Sequence, residues 1–132
     1  MTEAAAPDNV MPDELLSRYI LQSNHIRKES NTIKPDAFMP HPYEDLSVTR
    51  HLVLTQEELW LIGDEVSQQT GKTLYGRAEN IAQTFFAQKL KIASAPVPEN
   101  PNHANIFGWP ADKPSQKMIA LEIAAASHFV VR

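Results

Sequence analysis

The sequence predicts an α+β domain, with a small mixed β-sheet of three to five strands and two main helices and one short helix packed on it. A small α/β arrangement with parallel core strands is the alternative. Three observations carry this. Along residues 46–95 the apolar pattern alternates strand, helix, strand, helix, strand. The first of those helices has both a start and a stop signal. The chain has 132 residues, 42% of them apolar and none a cysteine, enough to bury a core without disulfide or metal support.

Taken in order, residues 1–12 mix small, acidic and proline residues without periodicity and read as a flexible tail preceding one domain over 13–132. Residues 13–43 are mostly polar, with an apolar group at Tyr19, Ile20 and Leu21 and kinks at Pro35 and Pro42, and suggest a loop-rich lead-in with one strand. Residues 46–53 form the first clear strand candidate, with Arg50 sharing the face of Leu46 and Val48. Thr55 then caps a helix, Glu58 completes a capping box, and Leu54 staples against Leu59. The core face of that helix is expected at Leu59, Ile62 and Val66, and Gly71 ends it.

A second strand is expected at Lys72–Arg77, a short helix capped by Asn80, and a third strand at Leu90–Ala95. Crossovers of this length suit parallel neighbours. Pro96, Pro98, Pro101, Pro110 and Pro114 then make residues 96–114 read as a long, stiffened loop. The last helix starts near Pro114 and runs to about Ser127, and residues 128–132 either add an edge strand or dock the terminus.

Composition excludes several classes. No window is apolar enough to span a membrane and the start has no basic leader, so a soluble cytoplasmic protein is expected. Residues 1–45 carry a net charge of −4 and residues 46–132 are balanced, which disfavours a general nucleic-acid binder. Gly71-Lys72-Thr73 lacks the upstream glycine of a phosphate-binding loop and follows a helix where a strand is required. The five histidines have no local metal-ligand spacing, so no metal or cofactor is assigned; a set such as His41, Asp45 and His103 would have to assemble through the fold.

The segment from Asn100 to Pro110 concentrates side-chain amides, an imidazole and an indole between prolines. Leu46-Ser47-Val48 with Arg50, Leu74 with Gly76-Arg77-Ala78, and His103-Ala104-Asn105-Ile106 with Gly108-Trp109-Pro110 and Lys113 resemble the motifs of a set of small bacterial proteins. The resemblance spans roughly residues 38–126 and implies no activity, cofactor or substrate. From the residues themselves, the leading reading is a non-enzymatic binding or accessory module that docks a protein partner through loop 96–114. Its contacts would be Asn102, His103, Asn105, Phe107, Trp109 and Arg77. The alternative is a metal-independent enzyme acting on a phosphodiester or phosphorylated ligand, with His103 as acid or base, His51 as a second such group, and Arg50, Arg77 and Lys113 as cations. A nucleic-acid-binding face built from Arg50, Lys72, Arg77, Lys89 and Lys91 is weaker still. Ile106, Phe107 and Trp109 could equally well close the core, with His103 on a loop carbonyl.

Overall fold

The computed structural model describes residues 8–40 and 45–132. Strand β1 (Leu15–Ile20) buries Leu16 and Ile20 on one face and Ser17 on the other. A short ribbon follows, β2 (Ile26–Arg27) with β3 (Thr32–Ile33), and then a 3-10 turn at Pro35–Phe38. The main elements after it are β4 (Leu46–Arg50), α1 (Gln56–Thr70), β5 (Gly76–Ile81), α2 (Ala82–Phe86), β6 (Lys91–Ser94), β7 (His103–Phe107), α3 (Lys113–Ala126) and β8 (His128–Val130). Six strands form one sheet in the order β6-β7-β4-β1-β5-β8, and every neighbouring pair is antiparallel.

The α+β class and the three helices are as the sequence predicts, while the sheet is larger and its pairing differs. Among the described residues it has six strands where three to five in a mixed sheet were expected, and no parallel pair. The physical reason lies in what fills the gaps. β4, β5 and β6 run in the same direction, as their long connections allow, but β1 lies between β4 and β5, and β7 between β4 and β6.

The second correction concerns residues 96–114. Their middle is strand β7, inside the sheet, with Ala104 and Ile106 buried and His103, Asn105 and Phe107 half-buried on the opposite face. The prolines flank the strand and none lies within it, so its amides are free to pair. β6 and β7 form a hairpin whose tip closes through paired bonds between Val97 and Asn100.

One sheet face carries Leu16, Ile20, Leu46, Val48, Ala78, Ala104 and Ile106 against Ala82 and Phe85 of α2, Ala120 and Ile123 of α3, and Phe38. The small side chains of α3 permit this close approach. Arg50 shares the face, fully buried, and Glu14 grips it with two bonds of 2.8 and 2.9 Å. The chain before β1 is also tied down: Val10 is buried, and the Pro12 and Glu14 carbonyls accept from Gln83 and Ala82. Those carbonyls serve the first amides of α2, which explains why Asn80 is a strand residue and no cap.

The second face is covered by α1 alone among the three helices. Thr55 and Glu58 form the expected capping box, and Gly71 ends the helix at φ 68°. Leu59, Trp60 and Gly63 are its buried residues; Ile62 and Val66, expected in the core, are half-buried. The helix is turned this way because it sits on Tyr19: a Cβ at Gly63 would lie 2.8 Å from the Tyr19 ring, and the Tyr19 hydroxyl donates to the Leu59 carbonyl at 2.5 Å. β5 begins at Gly76, four residues later than expected, where φ is 157° and a Cβ would meet the Val130 carbonyl at 2.6 Å. Among the described residues no helix is long and apolar enough to cross a membrane.

Candidate active site

Alternation along the strands puts Ser17, Tyr19, Thr49, Arg77 and Glu79 on the face beneath α1. His51 continues from β4 on that side, with its amide bonded to the Leu15 carbonyl. Ser17 and Arg77 are fully buried, His51 nearly so, and the Glu79 side chain keeps 18% of its exposure. A polar cluster of this kind survives burial only if its donors and acceptors are matched.

The matching starts from Arg77. Arg77 only donates, so its Nη1 gives a hydrogen bond to Ser17 Oγ at 2.9 Å and another to Glu79 Oε2. With one lone pair so engaged, Ser17 keeps a second lone pair and its own proton for His51 Nε2, 2.6 Å away. A neutral His51 ring protonated on Nδ1 accepts that proton, and one protonated on Nε2 donates to the second lone pair; both are neutral imidazoles. Burial favours that state by pushing the His51 pKa below its ordinary value, against the pull of Glu79 and with the repulsion of Arg77. Glu79 Oε2 is 4.0 Å from His51 Nε2.

Around this relay, Arg77 Nη2 donates to Gln56 Oε1 in the first turn of α1, and the Trp60 ring lies 5.0 Å from the guanidinium carbon. Arg132, paired with Asp64, lies 5.9 Å from the same ring. Burial pushes the Tyr19 hydroxyl up to about 12, so it remains a donor at neutral pH. Asn100 ties the hairpin tip to this face by donating to Thr49 Oγ1 at 2.8 Å.

The residues singled out from sequence fall into several places. Arg77 and His51 join the cluster. His103 does not: its Nδ1 is bonded to the Ala95 carbonyl at 2.8 Å. Asn102 is spent on the Arg50 carbonyl at 2.9 Å, and the Trp109 indole donates to the Ile106 carbonyl at 3.0 Å while packing against the core. Asn105 sits between Ser47 and Ala93 in the sheet, and Phe107 opposite Lys91. Phe107 and Trp109 also border a cleft of about 440 Å³ with Pro40, Pro110 and Gln116. Arg50 lies on the first face with Glu14, and exposed Lys113 lies at the start of α3 beside His25 and Lys117, bordering a second cleft. His103, Arg50 and Lys113 are thus held by three different parts of the fold.

His41 lies outside the described residues, and among those described no group of three or more His, Cys, Asp or Glu side chains could hold a metal ion. Sequence reasoning missed Ser17, Glu79, Gln56 and Trp60. A signal was present for Glu79, which stands two residues from Arg77 and so shares its face in any strand. Nothing local marked Ser17, since its partners are 34 and 60 residues away. Comparison with family models, with curated proteins and with solved structures gives no match to this chain.

Proposed function

We propose that this protein is an enzyme that cleaves or transfers a phosphodiester or phosphorylated ligand, with Ser17 as nucleophile and His51 as general base. The observation that supports it is the 2.6 Å hydrogen bond between Ser17 Oγ and His51 Nε2, with Arg77 donating to the same oxygen. A serine hydroxyl is a weak nucleophile until an adjacent base takes its proton. A guanidinium on that oxygen stabilises the charge it acquires.

In this reading the Ser17 oxygen forms a bond to phosphorus as its proton passes to His51 Nε2. The ester bond to the leaving oxygen breaks, and His51 returns the proton to that oxygen. Glu79, 4.0 Å from Nε2, stabilises the transient imidazolium. Water then releases the phosphoryl group from Ser17 by the reverse proton route. In this reading the substrate reaches the fully buried Ser17 by displacing Gln56, the exposed side chain bonded to Arg77 Nη2. The partner-docking reading has less behind it, because Asn102, His103 and Trp109 spend hydrogen bonds within the chain.

The test is turnover of chromogenic phosphomonoesters and phosphodiesters, single-stranded DNA and RNA, together with mass spectrometry after treatment with a phosphonylating reagent. Turnover that falls at least about 100-fold in both Ser17→Ala and His51→Ala, with the label on Ser17, is expected. Absence of both turnover and Ser17 labelling in the folded protein overturns the proposal.

A further inference from the structure

The two buried arginines differ in how one edge of the guanidinium is used. Arg50 presents its Nε and Nη2 together to a carboxylate, donating to Oε1 and Oε2 of Glu14 at 2.8 and 2.9 Å. This is the bidentate geometry that a guanidinium makes with coplanar oxygens. Arg77, equally buried, has no such partner on the corresponding edge among the described residues. Its Nε is sealed from solvent with no hydrogen-bond partner, and its Nη2 donates only to the neutral amide oxygen of Gln56. Its carboxylate, Glu79, is engaged by Nη1 instead.

A buried N–H without an acceptor is uncommon and costs free energy, so this edge is a site prepared for a better acceptor. Gln56 is an exposed side chain at the first position of α1 and can swing into water without disturbing the core. Trp60 stacks on the guanidinium, leaving the edge as the approach for a ligand.

We infer that the Nε/Nη2 edge of Arg77 binds an oxyanion with two coplanar oxygens, phosphoryl or carboxylate, which displaces Gln56 Oε1. The inference deepens the proposed function, resting on it only for the idea that the bound oxygens belong to the substrate. The site places those oxygens on the same guanidinium that contacts Ser17 Oγ.

Trp60 supplies the readout. Of the two tryptophans in the chain, Trp109→Phe removes the other, and fluorescence is followed on adding inorganic phosphate or acetate. A saturable change is expected. Gln56→Ala, which clears the edge, should tighten binding about fivefold or more. Gln56→Glu, which places an internal carboxylate on it, should weaken binding at least about tenfold, the worth of one charge-assisted hydrogen bond. Tighter binding of phosphate assigns the site to phosphoryl ligands, and tighter binding of acetate to carboxylates. An unsaturable change, or one affinity shared by all three proteins, overturns the inference. Because binding is read without turnover, saturable binding by a chain that turns nothing over would sink the enzymatic reading and leave this site standing.

Discussion

Replacing Glu14 by glutamine tests whether the Arg50 ion pair is a fastening point of the fold. Arg50 is fully buried, Glu14 keeps only 12% side-chain exposure, and two charge-assisted bonds join them. An amide in place of the carboxylate can accept from one guanidinium nitrogen and must turn its own N–H groups toward the other. The buried cation then loses one bond outright, and the second weakens to a charged–neutral contact. The Asn9 carbonyl, 3.4 Å from Nη2, offsets part of the loss. The expected cost is about 3 kcal/mol, which lowers Tm by roughly 10 °C for a chain of this size.

Chemical denaturation at pH 7 measures it directly. Burial raises the Glu14 pKa, but the bonds from Arg50 and the Met11 amide and the charge of Arg50 outweigh this, so the net value lies below the ordinary 4.5. The unfolded chain therefore binds this proton first. The associated stability is complete above pH 4.5 and is lost as pH falls through the depressed folded value. Glu14→Gln should remove that part of the acid limb. A Glu14→Gln protein within about 0.5 kcal/mol of the parent would refute the reasoning.

Two further outcomes follow from the same structure. Gly76→Ala drives a Cβ to 2.6 Å from the Val130 carbonyl at a φ that side chains avoid, so denaturant titration should show a loss of about 3 kcal/mol and amide exchange should show β8 released from β5. His51→Gln should flatten the pH dependence of stability: burial depresses the His51 pKa, so its contribution is whole above the ordinary 6.5 and is lost as pH falls below it. An unchanged slope between pH 7 and 5 would contradict the neutral assignment of the ring, once the similar contribution of His25 has been measured with His25→Gln.

What could be read from the sequence depended on how far apart the cooperating residues are. The caps of α1 are four-residue signals, and Thr55, Glu58 and Gly71 announce them locally. β4 and α3 carry enough periodicity to be located within a few residues. β1 escaped a firm assignment because its alternation is broken by Arg18, whose guanidinium reaches the Ala37 and Ser47 carbonyls, contacts made only in the finished sheet. β7 was hidden by its neighbours, since five prolines between 96 and 114 suggest a loop while the strand occupies the stretch they spare. The candidate site suffered most. Arg77 and His51 were visible as residue types, but the serine that gives them chemical meaning comes from a strand whose position no local pattern declared.

The placement of β1 has a consequence for how the chain assembles. It is the single seam joining a three-strand slab, β6-β7-β4, to a two-strand slab, β5-β8. Its pairing with β5 closes a loop of about sixty residues, so the seam depends on distant encounters, which are slow compared with local helix and hairpin formation. A peptide matching residues 15–20, supplied during refolding, should compete for the vacant slot and delay recovery of native protein. Ser17 belongs to that seam, and so the relay with His51 and Arg77 comes into being only when the two slabs are sewn together.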